Sequence, residues 1–316
     1  MSTDEKLIVL AIGGNSLIAD PAHQSVEDQY ATCASTCQHI AALIEQGHRV
    51  VVTHGNGPQV GFILRRSELA AHELHMVPMD SCGADTQGAI GYHIQRALYN
   101  CMDGWGRRIP VATVVTQVLV DREDPAFKSP SKPIGTFMDE KTARQREERE
   151  RWNVVEDAGR GWRRVVASPR PVEILELQPI RTLIDAGYIV VTVGGGGIPV
   201  VRNEAGRLIG ADAVIDKDLA SSLLAREIGA STLLISTAVE QAYLDFGRPE
   251  QRAIDTMSVA EAKRCISEGH FKPGSMKPKI EAMIEFVEAG GSEAILTDPP
   301  NLLRAVQGET GTRLVP

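Results

Sequence analysis

The chain has no excess of positive charge. Lysine and arginine total 33 against 41 aspartate and glutamate, a formal net charge of −8 over 316 residues. Nucleic acid is a polyanion, so this balance argues against it as a partner. Long apolar runs are also missing. No stretch approaches the roughly 20 apolar residues that a membrane-spanning helix needs. The opening MSTDEKLIVLAIGGN is acidic, and its apolar run is too short for a secretory signal. Cysteine is sparse and scattered: Cys33, Cys37, Cys82, Cys101 and Cys265. An odd set of this kind reads as reduced thiols and hence as a cytoplasmic protein. Cys33 and Cys37 can share a helix face, but no second pair stands near to complete a zinc site. There is no internal repeat and no low-complexity segment. No GxGxxG follows the first apolar run, which argues against a dinucleotide oxidoreductase.

What the chain does contain is an alternation of short apolar runs and helical patterns. Leu7 to Ile12 (LIVLAI) reads as a strand buried on both faces. Ser25 with Asp28 resembles a capping box for a helix from Val26 to Gln46, stopped by Gly47. Arg49 to Thr53 is a second strand, and a helix begins near Pro58. Strand, helix, strand, helix in this order is the signature of a parallel sheet with helices on its faces. Further on, Gly83 to Met102 is expected as a helix, Pro110 to Val120 as one long strand and Glu173 to Ala186 as a helix. Tyr188 to Val193 is expected as a strand and Ile215 to Ile228 as a helix. Thr232 to Ser236, Glu293 to Thr297 and Thr312 to Val315 are expected as strands. Ser258 with Glu261 marks another capping box, and Pro278 opens a helix running to Ala289. Asp121 to Val165 is rich in charge and proline and reads as an insertion that leaves the main sheet.

Three glycine-rich loops follow strands: Gly13-Gly14-Asn15, His54 to Pro58, and Gly194 to Gly197. Ligands of open α/β sheets bind at these strand ends, and glycine lets backbone N–H groups lie against a bulky anion. Lys217 sits between Asp216 and Asp218 in the first turn of its helix, and Lys279 occupies the first turn of another. A cation there opposes the helix dipole, and a bound anion removes the conflict. Lys128, Lys132, Arg163 and Arg164 lie in the insertion beside Pro, Gly, Phe or Trp, where they could close over an anionic substrate.

The strings AIGGNSL, THGNGPQVG, CGADTQGAIGYH, DPAFKSPSKPIGTF, WNVVEDAGRGWRRVVASPRP, GGGGIPV, GADAVIDKDLASSLLA, YLDFGRPEQ and GSMKPKIEA resemble carbamate kinase, a member of the amino acid kinase superfamily. The match runs in order from about residue 7 to residue 315. It implies an α/β fold: a three-layer αβα sandwich on a mostly parallel sheet of about eight strands. It implies a homodimer, a carbamate-binding half over residues 1–187 with a lid at 121–165, and a nucleotide-binding half over 188–316.

The implied reaction is reversible phosphoryl transfer between carbamoyl phosphate and ADP, giving ATP and carbamate, in arginine and carbamoyl phosphate metabolism. Carbamate is already an anion, so positioning and charge neutralisation carry the chemistry. By the same resemblance, Lys128, Lys217, Asp218 and Lys279 are the catalytic set. Gly13, Gly14, Asn15, Gly55, Asn56 and Gly57 hold the carbamoyl side. Gly195, Gly196, Gly197, Asp216, Tyr243 and Met276 line the nucleotide site. Magnesium arrives with the nucleotide and has no dedicated protein ligand. Relatives outside this branch carry a lysine two residues before the first Gly-Gly; here the position is Ala11. Lys128, with Lys132 as its competitor, is expected to supply that charge. Lys277 and Ala238 also depart from the family pattern. The alternatives are a related enzyme acting on another small carboxylate such as acetylglutamate, or a catalytically silent nucleotide-binding regulator.

Overall fold

The computed structural model describes residues 5–17, 22–106, 108–157 and 161–316. Its centre is an eight-stranded sheet. In chain order its strands are β1 (Leu7–Ile12), β2 (Arg49–His54), β3 (Val111–Thr113), β4 (Ile189–Val191), β5 (Thr232–Ser236), β6 (Thr256–Ser258), β7 (Glu293–Thr297) and β8 (Thr312–Val315). The spatial order is β6-β8-β7-β5-β1-β2-β4-β3. Every pair is parallel except β7 with β8. β1 therefore lies in the interior, and its six residues alternate between two cores. Ile8, Leu10 and Ile12 face one cluster of buried side chains, while Val9 and Ala11 face the other.

The first cluster is covered by α1 (Val26–Glu45), α3 (Met79–Cys101) and α9 (Leu302–Val306). The second is covered by α5 (Leu177–Asp185), α6 (Lys217–Glu227), α7 (Val259–Ser267) and α8 (Met276–Glu288). This is the three-layer arrangement that the resemblance implies. Both expected capping boxes are present, Ser25 with Asp28 and Ser258 with Glu261.

α2 (Gln59–Ala70) carries the inserted segment. That segment builds a separate three-stranded sheet from Lys132–Met138, Asn153–Glu156 and Trp162–Val166, with α4 (Glu140–Glu150) beside it. A small third cluster, including Val60, Leu64, Ile134 and Val166, glues it to α2. The backbones come close enough that a Cβ on Gly61 would sit 2.9 Å from Gly135 Cα. An ion pair of Arg146 with Glu68, 3.4 Å, spans the same seam.

Two expected elements are different. Pro110 to Val120 is not one strand: it breaks into β3 and Gln117–Val120, and the second piece joins another sheet beside Ile198–Arg202. The break is polar. Thr116 gives its N–H to Gln87 Oε1 at 2.8 Å and its hydroxyl to Val114 O at 2.7 Å, which turns the chain out of the ladder. Likewise Glu173 belongs to a strand, Pro171–Ile174, and the helix starts only at Leu177. Glu176 just before it is committed to Gln117, accepting its N–H at 2.7 Å. α6 also starts later than expected, because Asp216 is its N-cap and Ile215 is buried in the core.

Candidate active site

The C-terminal ends of β1, β2 and β4 release the three glycine loops side by side. Gly55 donates its N–H to Ile12 O at 3.1 Å, fixing the second loop against the first. That N–H is consequently taken by the protein, so the expected role of the Gly55 N–H as a ligand donor does not hold in this geometry. The third loop is a single 3-10 turn, Gly194–Gly196. Gly195, Gly196 and Gly197 all have positive φ, at 68°, 91° and 88°. A side chain on Gly196 would strike Ile215 O, so the lack of side chains here is a packing requirement.

α6 points its N-terminus at these loops. Asp216 caps it, accepting the Asp218 N–H at 2.9 Å on Oδ1. Its other oxygen, Oδ2, accepts from Lys132 Nζ at 2.8 Å. Asp218 is buried and divides its carboxylate between two cations. Oδ1 binds Lys217 Nζ at 2.5 Å, and Oδ2 binds Lys279 Nζ at 2.8 Å. Lys217 comes from α6 and Lys279 from the first turn of α8, so one carboxylate ties two helices together.

Burial pushes the Asp218 carboxyl upward, but Lys217 and Lys279 outweigh it and hold the group well below the usual carboxylate range. Burial also lowers Lys217, reinforced by Lys279, although Asp218 opposes the shift. Lys279 is pushed down by burial yet ends above its ordinary value, because Asp218 and Asp216 favour its charge.

The cleft over this cluster has a volume of about 370 Å³. Gly55, Asn56, Gly57, Gly195, Asp216, Lys217, Asp218 and Lys279 line it, so residues expected on the two substrate sides meet in one place. Lys132 and Arg163 reach it from the inserted segment. Lys128 does not: it is exposed at the end of the short turn Pro125–Phe127. Of the two lysines it is Lys132 that lines the cleft, because the strand Lys132–Met138 pairs with Trp162–Val166 and carries it there. Gly13 and Gly14 adjoin the cleft through the Ile12–Gly55 bond without lining it. The Asn15 side chain falls outside the described residues. Gly196 and Gly197 are buried behind Gly195. Tyr243 lies in a two-stranded hairpin and makes a tilted ring contact with Phe246, centroids 5.9 Å apart, without lining the cleft. Met276 opens α8, packed against the core rather than lining the cleft.

His54 was not among the expected site residues. It ends β2 inside the protein, with Nδ1 at 2.9 Å from Gly55 O. A carbonyl only accepts, so Nδ1 carries the proton and the ring is one neutral tautomer. Nε2 packs against Gly194, where a Cβ would overlap it. Burial pushes its pKa down to about 4, with Lys217 adding to the effect and Gly55 O opposing it. The sequence signal was the position itself, a histidine between a strand and a Gly-Asn-Gly loop.

The chain belongs to the amino acid kinase family, whose sequence profile matches residues 6–298. Within that family it is 50% identical over 317 residues to the carbamate kinase-like protein YahI of Escherichia coli K12, covering 98% of this chain and 99% of that one. It is 46% identical over 313 residues to the carbamate kinase of Clostridium perfringens, covering 98% of this chain and 99% of that one. The structure of Giardia lamblia carbamate kinase bound to AMP-PNP superposes with a TM-score of 0.92 at 39% identity, covering 99% of both chains.

The buried neutral His54 predicts how stability depends on pH. Between pH 6.5 and about 4 the unfolded chain takes up a proton that the folded chain refuses, so stability falls as pH falls through that window. The loss from this group between pH 7 and pH 5 is about 2 kcal/mol. Urea unfolding at both pH values, with His54→Gln as the reference, measures it. A variant with the same pH dependence as the parent would show that His54 is not the source.

Proposed function

We propose that this chain is a carbamate kinase, transferring a phosphoryl group reversibly between carbamoyl phosphate and ADP. The observation that carries the reading is the Asp218 clamp, two lysines held 2.5 and 2.8 Å from one buried carboxylate at the mouth of the glycine loops. Full-length similarity to carbamate kinases supports the same conclusion.

The chemistry follows from the charges. A phosphoryl group in flight spreads negative charge over three equatorial oxygens and needs little covalent help. Lys217 and Lys279, fixed by Asp218, present cations to those oxygens with no reorganisation at the moment of reaction. Lys132 supplies a third cation from the opposite wall, which compensates for Ala11 where other family branches carry lysine. We assign that role to Lys132 and place Lys128 outside the reacting centre. The N–H groups of Asn56, Gly57 and Gly195 are not taken by backbone carbonyls among the described residues, and they suit the anionic oxygens of the two substrates. Magnesium fits as part of the nucleotide substrate. All four carboxylate oxygens of Asp216 and Asp218 are bonded to lysines or to a backbone N–H.

The finer readings rest on particular features. Residues 1–187 would bind carbamate and 188–316 the nucleotide, with Tyr243 and Met276 on the nucleotide side. A homodimer is supported by the exposed apolar side chains Val115 and Tyr92, each 54% exposed. The five cysteines are all free thiols, which suits a reducing cytoplasm. Among the described residues no helix is long and apolar enough to cross a membrane.

ATP formation from ADP with carbamoyl phosphate, acetyl phosphate or acetylglutamyl phosphate tests the reading. Carbamoyl phosphate is the expected donor by a wide margin. A preference for acetylglutamyl phosphate would assign the chain to another branch, and no turnover with any donor would favour a silent regulator. For the lysines, Lys217→Ala, Lys279→Ala and Lys132→Ala are each expected to lower kcat by about 10²–10³ in folded protein. Lys128→Ala is expected to cost far less. A larger loss for Lys128→Ala than for Lys132→Ala, in steady-state kinetics, would reverse the assignment.

A further inference from the structure

Two hydroxyls meet in the core beneath the cleft. Thr53 stands near the end of β2, two residues after Val51, and so on the strand face that α6 covers. Ser221 lies one turn into α6, four residues after Lys217. Both residues are fully buried, and their side-chain oxygens are 2.6 Å apart. Ser221 Oγ is also 2.6 Å from Lys217 O. A carbonyl only accepts, so the Ser221 proton goes to Lys217 O, and the Thr53 hydroxyl donates to Ser221 Oγ. The result is a directed chain from the strand, through the helix, to the backbone of Lys217. The Lys217 side chain then passes back over the same strand end: its Cδ lies 3.5 Å from where a Cβ on Gly55 would stand.

A serine bonded to the carbonyl four residues back in its own helix is common. A second bond from a distant strand is a different matter. Valine and alanine would fill these positions with nearly the same shape. Replacing both partners of a buried hydrogen bond by such groups is close to neutral, or stabilising. Stability alone therefore does not account for the pair.

We infer that Thr53, acting through Ser221, is a positioning residue for Lys217 in phosphoryl transfer. The inference rests on the reading that Lys217 meets the transferring group. Asp218 holds the ammonium end of that side chain, and Thr53 with Ser221 holds its main-chain end. Without the second hold the first turn of α6 can shift against β2, and the cation misses the place where charge develops. A misplacement of about 1 Å can cost about 10²-fold in rate. Nucleotide binding is spread over other contacts, so the loss falls on kcat rather than on KM.

The test is kcat and KM for carbamoyl phosphate and ADP in Thr53→Val, in Ser221→Ala and in the double variant, with Thr53→Ser as the conservative replacement. Urea unfolding is measured on the same proteins. The expected result is a fall in kcat of about 10- to 100-fold in Thr53→Val and in the double variant, with both KM values little changed. Thr53→Ser recovers most of the rate, and the double variant unfolds no more easily than the parent. A parent-like kcat in either folded valine variant would overturn the inference. So would a loss that Thr53→Ser fails to recover, or one that follows the unfolding midpoint, since both mark a purely structural pair. A parent enzyme that makes no ATP from carbamoyl phosphate would instead overturn the functional reading on which the inference stands.

Discussion

One buried carboxylate holds the site together. Asp218 is almost inaccessible to solvent, and a charge in such a place is tolerable only when it is paired and hydrogen-bonded. Both of its oxygens meet lysines, and those lysines open different helices. Removing the carboxylate would leave two cations close together at positively polarised helix ends. The pair of helices is consequently fixed in the geometry where an anion is wanted. On the proposed function, substrate phosphates complete the charge balance that the protein leaves unfinished.

The rest of the fold serves that arrangement. Parallel strands release their loops at one edge of the sheet, and β1 and β2 bring Gly13 and Gly55 together through the Ile12–Gly55 bond. Glycine is required where another chain element lies in the way: Asn56 at Gly195, Ile215 O at Gly196, Val118 at Gly197. The inserted sheet then reaches back over the same edge. It contacts the approach to α6 by the bridge between Ala167 and Ala213 and by the ion pair of Arg164 with Asp212, 3.4 Å. Lys132 on Asp216 continues this contact to the helix cap. The segment that carries the third cation is thereby attached to the segment that positions the first two.

Much of this was legible in the sequence because it depends on local chemistry. Serine with an acidic residue three positions on marks a helix start wherever it stands, and a lysine in a first turn asks for an anion. The β1 run reads as buried because every residue of it is apolar. What escaped depends on contacts distant in sequence. The break in Pro110 to Val120 is caused by Gln87, some thirty positions earlier in the chain, bonding Thr116. Glu173 looks helical by composition and is extended because its strand pairs with Gln117–Val120. Lys128 and Lys132 have the same proline-rich surroundings, and only the pairing of the inserted sheet decides which faces the cleft. His54 gave no periodic signal at all, since its role is set by the two loops folded around it.

The account stands on Asp218 acting through the lysines rather than on the substrate. The most direct measurement is the single-turnover rate of ATP formation from carbamoyl phosphate and ADP by Asp218→Asn, in protein shown to be folded by circular dichroism. Asparagine keeps the shape and removes the charge that anchors both lysines. The predicted result is a loss of about 10²-fold or more, with the nucleotide still bound. A single-turnover rate close to that of the parent would contradict the claim that the lysine-clamped carboxylate organises the site.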